Sequence, residues 1–181
     1  MRNIMRRNGR TTAVPTPRAL RGVLGGLVLL VGAVVHLQPV AAQTTGGRAI
    51  VQLLTDAGHV VEGRRILRDE PGEVAALVRE LAAAGQVDVI ITTGGTGITR
   101  RDSTFEAIDA LLDKRLPGFG ELFRMLSFQE IGAAAMLSRA CAGTHAGRIV
   151  ISLPGSENAV RLAMTRLLIP ELGHLVAETR R

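Results

Sequence analysis

Two short runs of small residues follow apolar stretches of the sequence, and their composition suits the binding of an anion. The run TTGGTG spans residues 92–97, and the run PGS spans residues 154–156. Glycine lets a backbone approach a ligand closely, and N–H groups beside a helix N-terminus favour negative charge. Both runs therefore predict contact with a phosphate or a carboxylate, and a plain structural turn is the alternative. Neither run matches the GxxxxGK[ST] or GxGxxG fingerprint of nucleotide-binding loops.

Two aspartates stand where a cation could join them to such an anion. Asp102 lies five residues beyond Gly97, and Asp69 follows a predicted strand. A carboxylate beside an anion site is repulsive unless a cation bridges the two, and Mg²⁺ held by carboxylate and phosphate oxygens is the economical solution. The alternative for Asp69 is an acidic residue that stabilises a helix N-terminus. For Asp102 the alternative is a helix cap or a salt bridge with Arg100 or Arg101.

Composition argues against several other kinds of chemistry. Six of the 22 Lys and Arg residues lie in residues 1–21, which hold no acidic residue, so the remaining basic residues equal the 16 acidic ones in number. A neutral body with four Phe and no Trp or Tyr lacks the features of a nucleic-acid surface, and no nucleic-acid partner is expected. The single cysteine, Cys141, is typical of a small buried apolar group. The four histidines have no metal-ligand spacing.

Helix and strand patterns alternate from Arg48 onward, which is typical of a parallel α/β domain. Strand patterns occur at residues 59–67, 87–92 and 148–153. Helix patterns occur at residues 50–57, 71–84, 104–112, 121–142 and 160–168. Ser103 and Glu106 have capping-box spacing, and Pro170 predicts a helix end. Because the carboxyl ends of parallel strands share one edge of a sheet, the TTGGTG and PGS runs are expected to face the same crevice.

Four motifs occur in a fixed order along the chain. They are TTGGTGITRRDSTFEA from Thr92, PGFGELFRMLSFQEIG at residues 117–132, LSRA at residues 137–140 and LPGS at residues 153–156. Together they resemble the MoaB/Mog family of molybdenum cofactor biosynthesis proteins, which also occurs as domains of gephyrin-type proteins. The FGELFRMLSFQEIG motif is closer to the MoaB branch. The resemblance extends from about residue 45 to residue 175.

This resemblance implies a fold, an assembly and an activity. The implied molybdopterin-binding fold is a three-layer α/β/α arrangement around a mostly parallel central sheet. The implied assembly is a homotrimer, or a homohexamer of two trimers. The implied activity is adenylylation of molybdopterin, with ATP as the second substrate and Mg²⁺ as cofactor. Its product is adenylyl-molybdopterin, the species into which molybdate is later inserted.

The resemblance also assigns roles to individual positions. The phosphate of the pterin, or its adenylylated form, would be held by Gly94, Gly95, Thr96 and Gly97, with Pro154, Gly155 and Ser156 as the opposing wall. Asp102 and Asp69 match acidic positions expected to bind Mg²⁺ and to position the reacting phosphates. Binding or structural roles near the pocket fall to Ser127 and Ser138, together with Glu121, Arg124 and Arg139.

The residue types suit this chemistry and leave two other interpretations open. Transfer of AMP to a terminal phosphate requires alignment and charge neutralisation rather than a protein nucleophile, so neither Cys141 nor a histidine is needed. One alternative is a protein that binds molybdopterin without adenylylating it. The other is an inactive gene product with an altered N-terminus.

The first 44 residues fit either a targeting segment or the start of the fold. Residues 1–21 predict a basic, disordered leader, and residues 22–44 form an apolar segment that carries a cleavage-like Val40-Ala41-Ala42 pattern. The molybdopterin-binding domain would follow at residues 45–181. On the targeting interpretation, this segment directs export or membrane attachment.

The family pattern favours retention of the apolar segment. Matched without a gap, residues 30–35 fall where the family has its first strand, and His36 and Leu37 replace a polar Ser-Asp or Ser-Asn step. Residues 29–35 are therefore expected to be that strand. Removal of a central strand would leave backbone groups of its neighbour unpaired. A cytoplasmic protein that retains this strand is therefore expected, with no membrane partner.

Overall fold

A computed structural model describes residues 27–31, 35–37, 45–68 and 70–181 of the chain. The predicted leader, the cleavage-like pattern and Asp69 lie outside the described residues. The domain boundaries at residues 21 and 44 and the cytoplasmic location therefore stay predictions.

Seven strands in the described residues form one sheet. They are β1 Leu27–Val31, β2 Val35–Leu37, β3 Val61–Ile66, β4 Val89–Thr93, β5 Lys114–Arg115, β6 Cys141–His145 and β7 Arg148–Leu153. Their order across the sheet is β1, β3, β2, β4, β7, β6, β5. Strand β4 is parallel to β2 and β7, whereas β1 is antiparallel to its neighbours and β6 is antiparallel to β5 and β7. The sheet is therefore mixed rather than mostly parallel as expected.

The β6–β7 hairpin is one of two reasons for this difference, and antiparallel β1 is the other. Sequence analysis assigned helix up to residue 142 and did not predict β6. A two-residue turn joins the strands, and its central residues Ala146 and Gly147 have φ of 48° and 73°. Two positive φ angles give the twist that a tight hairpin needs, but alanine is an unusual residue for the first of them. The turn therefore lacks the Asn-Gly or Asp-Gly signal that usually predicts a hairpin.

The apolar N-terminal segment contributes β1 and β2, and each of these strands pairs with both β3 and β4. Leu29 of β1 and His36 of β2 are each in register with Arg64 of β3 and Ile91 of β4. The expectation of a single first strand at residues 29–35 is therefore wrong, because residues 29–31 belong to β1, which is antiparallel to β4, and residue 35 belongs to β2, which is parallel to β4. Retention of this segment in the mature protein stays a prediction.

The described helices are α1 Thr45–Asp56, α2 Pro71–Ala84, α3 Thr104–Asp109, α4 Pro117–Ile131, α5 Glu157–Ala163 and α6 Ile169–Thr179. A 3₁₀ helix spans Gly132–Leu137, and a π-helical turn spans Met164–Leu168. In the part of the chain that the structure describes, no helix combines the length and apolar character needed to cross a membrane.

The observed helix ends agree with the predicted ones where the signal comes from neighbouring residues. They differ from the prediction where a residue distant in sequence makes a contact. Helix α2 ends at Gly85 with φ of 69°, as the glycine predicts. Helix α3 begins at Thr104 as predicted, but Ser103 makes no side-chain capping bond, and Glu106 instead binds Arg139. The capping-box prediction is therefore wrong, because a tertiary ion pair takes its glutamate.

The last helical region continues through Pro170, where the sequence predicted a helix end. The π-helical turn leads directly from α5 into α6, and Pro170 falls in the first turn of α6. In a regular α-helix the proline ring would clash with the carbonyl of Arg166, four residues earlier, but Arg166 lies in the wider π-helical turn, so the helix continues.

The core lies on both sides of β4. All five residues of this strand are buried, and successive side chains of a strand point to opposite faces. Helices therefore cover both faces of the sheet, as three layers require. Helix α1 packs against α5, and α2 packs against α3.

Gly143 of β6 offers a test of the packing at the sheet edge. A Cβ at this position would collide with the carbonyl oxygen of Lys114 and lie 3.0 Å from Leu112 Cδ1. We expect Gly143→Ala to lower the free energy of unfolding by about 1–3 kcal/mol in urea denaturation, because the backbone of β5 must move.

Gly72→Ala is the matched control for this substitution. Nothing lies within 4 Å of a Cβ at Gly72, near the start of α2. Its unfolding free energy should equal or slightly exceed that of the parent, since alanine is the better helix residue. Equal stability of the Gly143→Ala variant and the parent would contradict the packing described for β5 and β6.

Candidate functional site

A pocket of about 620 Å³ opens beyond the carboxyl ends of β4 and β7. Its walls come from the loop after β4, the end of α4 with the following 3₁₀ helix, the loop after β7 and the start of α5. Of the residues assigned from sequence, it is lined by Thr96, Gly97, Ser127, Ser138, Pro154, Gly155 and Ser156. The structure thus brings the end of the TTGGTG run, the PGS run and the two serines to one pocket. Gly94, Gly95 and Asp102 do not line it, and Glu121 and Arg124 line a separate cavity.

Gly94 and Gly95 shape the turn that leads from β4 into this pocket. Their φ angles of 94° and 61° lie in the left-handed region that favours glycine. The Gly94 N–H donates to the carbonyl oxygen of Leu153 at 3.0 Å, and the Phe105 N–H donates to that of Gly95 at 3.3 Å. The loop is therefore anchored to β7 at one side and to α3 at the other.

The backbone N–H groups of residues 95–98 are four consecutive donors in the glycine loop. No acceptor for any of the four lies among the described residues. The next N–H, that of Thr99, donates to Asp102 Oδ2 at 3.1 Å. Consecutive N–H groups without internal partners, in a loop rich in glycine, are suited to holding an anion. These four N–H groups, called the N–H cradle below, are the part of the loop that suits anion binding.

Asp102 lies against the cradle. Its Oδ2 atom accepts a second hydrogen bond from Thr99 Oγ1 at 2.6 Å, and its carboxylate occupies the space that a Cβ on Gly97 would need. No salt bridge with Arg100 or Arg101 is found among the described residues. Asp102 therefore closes a tight turn behind Gly97, and Gly97 must stay glycine to permit it.

The loop after β7 packs directly on the glycine loop. A Cβ on Gly155 would lie 3.4 Å from the Cα of Gly94, which is van der Waals contact. Ser156 caps α5, because its Oγ accepts a hydrogen bond from the Ala159 N–H at 3.3 Å. Ser127 is buried in α4. These contacts fix the walls of the pocket relative to the cradle.

Comparison with known proteins identifies the family. A family model described as "Probable molybdopterin binding domain" matches residues 28–174. The chain belongs to this family. The "Molybdenum cofactor biosynthesis protein B" of Bacillus cereus is 50% identical over 136 residues, which cover 75% of this chain and 80% of that protein.

Solved structures agree with this assignment. A crystal structure of a molybdenum cofactor biosynthesis protein B matches at a TM-score of 0.70 with 49% identity, covering 76% of this chain and 86% of that chain. The tungsten cofactor synthesizing protein MoaB from Pyrococcus furiosus matches at 0.64 with 40% identity and the same coverage. The resemblance predicted from the four motifs, including the preference for the MoaB branch, is confirmed.

Sequence reasoning missed two acidic residues that line the pocket of this molybdopterin-binding domain. Glu130 lies three residues after Ser127, so the helical period of α4 could have revealed it. Glu157 directly follows the PGS run. Hydrogen bonds from Thr45 and Arg161 lower the pKa of Glu157, so its carboxylate is ionised at neutral pH. The pocket therefore combines an N–H cradle with a carboxylate wall.

A magnesium ion fits this site only as a partner of a bound phosphate. Among the residues that the structure describes, no group of three His, Cys, Asp or Glu side chains could hold a metal ion. Asp102 Oδ1 has no hydrogen-bond partner among them, whereas Oδ2 is used by Thr99. Mg²⁺ is commonly held by one or two carboxylates together with substrate phosphates. One available carboxylate oxygen beside an anion cradle meets that requirement.

Cys141 takes no part in the site. Burial raises the pKa of its thiol to about 12, so the thiol is protonated at neutral pH and is a poor nucleophile. This agrees with the expectation of a small apolar group.

Gly97 provides the test of the cradle. Gly97→Ala should weaken molybdopterin binding at least about tenfold, because the new Cβ forces either Asp102 or the cradle to move and misplacing a binding group by an ångström is costly. Anaerobic calorimetric titration with molybdopterin measures the effect.

Gly118→Ala is the control, since nothing lies within 4 Å of a Cβ there. It should bind molybdopterin as the parent does. If Gly97→Ala binds equally well while it remains folded by circular dichroism, the cradle does not form the binding site.

Proposed function

We propose that this protein acts in molybdenum cofactor biosynthesis by binding molybdopterin and adenylylating it with Mg²⁺ and ATP. The observation that carries the proposal is the N–H cradle at residues 95–98, which has no acceptor among the described residues and adjoins the family's pocket. A terminal phosphate supplies several strong acceptors for such donors. The names of the relatives, which are molybdenum cofactor biosynthesis proteins, support the same pathway.

The charge distribution of the pocket suits both ends of molybdopterin. The cradle suits the phosphate, and the ionised Glu157, with Glu130, suits the N–H-rich edge of a pterin ring. The pocket volume of about 620 Å³ is that of an ordinary small-molecule site. An elongated ligand with a phosphate at one end and N–H donors at the other fits this polarity.

In the proposed reaction, a phosphate oxygen of molybdopterin attacks the α-phosphorus of ATP. A new P–O bond forms, the bond from the α-phosphorus to the oxygen that bridges to the β-phosphate breaks, and pyrophosphate leaves with that electron pair. Mg²⁺, when bound, neutralises charge on the reacting phosphates. The protein contributes alignment: the cradle holds the attacking phosphate, and Ser127 and Ser138 lie where their hydroxyls can orient the ligand.

We propose that Asp102 binds the Mg²⁺ ion. Its Oδ2 atom accepts both hydrogen bonds from Thr99, and its Oδ1 atom accepts none from the described residues. Asp69, the second carboxylate implied by the family motif, is proposed for the same role.

Asp102→Asn separates binding from turnover. Asparagine keeps an oxygen for Thr99 but removes the charge, so molybdopterin affinity should stay close to the parent's while turnover falls by roughly 10². Anaerobic incubation with molybdopterin, Mg²⁺ and ATP, followed by chromatography of adenylyl-molybdopterin and assay of pyrophosphate, measures both quantities.

Asp56→Asn is the matched control, because Asp56 is exposed on α1 and pairs with Gln52. Its turnover should equal that of the parent. Full activity of Asp102→Asn would remove Asp102 from the mechanism. Tight molybdopterin binding without product in the parent would reject the enzyme and favour a non-catalytic binding protein.

Self-association is the second part of the proposal. The exposed large apolar side chains of α4 and the 3₁₀ helix are Leu122, Met125, Phe128, Ile131, Met136 and Leu137. A large exposed apolar surface marks an interaction site on a protein. We therefore propose that this surface, called the α4 face, joins copies of the chain into a homotrimer or homohexamer.

Phe128→Glu tests the α4 face. A buried charge in an apolar interface is costly, so the variant should sediment as a monomer while keeping its circular dichroism spectrum. Val60→Glu is the control, because Val60 is similarly exposed but lies outside the α4 face. A monomeric parent, or an unchanged mass for Phe128→Glu, would contradict this assembly.

A further inference from the structure

The side chain of Arg139 lies behind the glycine loop and binds two of its carbonyl groups. Arg139 Nε donates to the carbonyl oxygen of Thr96 at 2.8 Å, and Nη2 donates to that of Gly97. One planar guanidinium therefore holds two consecutive peptide units of the cradle. The fork geometry of arginine makes such two-point contact possible, whereas a lysine ammonium does not reproduce it.

Two residues of α3 fix the guanidinium itself. Glu106 pairs with Nη1 and Nη2, and the guanidinium carbon lies 4.7 Å from the centroid of the Phe105 ring. The hydrogen bond from Arg139 lowers the pKa of Glu106. The stabilisation from this pair is therefore complete above the ordinary glutamate pKa and is lost as the pH falls through the lowered one. At neutral pH the guanidinium is held in place.

The direction of the cradle N–H groups follows from the peptide geometry. In a trans peptide unit the N–H and C=O bonds point in opposite directions. The carbonyl of Thr96 shares its unit with the N–H of Gly97, and the carbonyl of Gly97 shares its unit with the N–H of Ile98. Since Arg139 binds both carbonyls, both N–H groups point away from Arg139.

The pocket lies on that opposite side. Ser138 has extended backbone, with φ of −77° and ψ of 106°, so its side chain and that of Arg139 point in opposite directions. Ser138 lines the pocket and Arg139 does not. Thr96 and Gly97 themselves line the pocket while their carbonyl groups bind Arg139, so the N–H groups of Gly97 and Ile98, which point away from Arg139, point to the pocket side of the loop.

From this arrangement, and resting on the proposed function for the identity of the ligand, we infer that Arg139 is a positioning residue for phosphate binding. It orients the N–H groups of Gly97 and Ile98 toward the phosphate and does not contact the phosphate itself. Its guanidinium neutralises the two carbonyl dipoles that would otherwise be free to rotate toward the anion. Donors fixed before the ligand arrives bind it without a cost for reorganisation.

Nuclear magnetic resonance of the full chain tests this role with inorganic phosphate as the probe. In the ¹⁵N-labelled parent, the amide signals of Gly97 and Ile98 should shift saturably as phosphate is added. In Arg139→Lys, which keeps the charge, the apparent Kd for phosphate should rise about tenfold, and these two shifts should shrink. Thermal unfolding of the same samples verifies that the variant is folded.

Arg115→Lys is the matched control. Arg115 also binds a carboxylate and a carbonyl, both of Asp109, but it does not line the pocket. Its phosphate Kd should equal the parent's. In Arg139→Ala, added guanidinium should restore part of the Gly97 and Ile98 shifts, which an effect on general stability would not produce.

Three results would overturn the inference. The first is parent-like phosphate binding, with parent-like amide shifts, in Arg139→Lys. The second is a phosphate-induced shift at the Arg139 Nε signal without shifts at Gly97 and Ile98. The third is the lack of saturable phosphate binding in the parent.

Measurement of turnover distinguishes this inference from the proposed function. Saturable amide shifts in the parent that shrink in Arg139→Lys, from a parent that makes no adenylyl-molybdopterin, would support the role of Arg139 and reject the enzyme. If the parent and Arg139→Lys both make adenylyl-molybdopterin with equal KM for molybdopterin, the enzyme is supported and the role of Arg139 is rejected.

Discussion

The parallel pairing of β4 with β7 is the constraint on which the site depends. The register runs from Val89 opposite Ile149 to Thr93 opposite Leu153 without a shift. Because parallel strands end at the same edge, the glycine loop and the PGS loop leave the sheet side by side. The bond from the Gly94 N–H to the Leu153 carbonyl carries the pairing one residue beyond the strands. Burial of β4 on both faces then holds this edge in place.

The site built at this edge uses dipoles more than charges. The cradle presents backbone N–H groups, and the nearby guanidinium of Arg139 is engaged by carbonyls and by Glu106. Asp102 is likewise engaged by Thr99. In the proposed function, a phosphate bound here would meet oriented donors on one side and, beyond them, a carboxylate that calls for a cation. Glu130 of α4 and Glu157 of α5 place carboxylates on the helical wall of the pocket, whereas the cradle presents N–H donors.

The sequence predicts the parts of this arrangement that depend on local signals. Buried-strand patterns locate β4 and β7, and the glycines after β4 indicate the cradle, because both follow from neighbouring residues. The α3 start and the Gly85 helix end are predicted for the same reason. The motifs identify the family, and with it half of the residues that line the pocket.

The remaining features depend on contacts between distant residues. The capping-box spacing of Ser103 and Glu106 gives no sign that Arg139, 33 residues beyond Glu106, takes the glutamate. Ala146 occupies a turn position that usually carries glycine or asparagine, so the β6–β7 hairpin and the mixed sheet were not predicted. Glu130 joins the pocket only because α4 packs beside the loops. In each case a tertiary partner overrides or hides the local pattern.

A crystal structure of the protein with molybdopterin bound tests the central claim most directly. The account predicts the terminal phosphate within hydrogen-bonding distance of the Gly97 and Ile98 nitrogens, the pterin ring beside Glu130 and Glu157, and Arg139 on the far side of the loop without ligand contact. A phosphate bound away from residues 95–98, or bound directly by the Arg139 guanidinium, would contradict it.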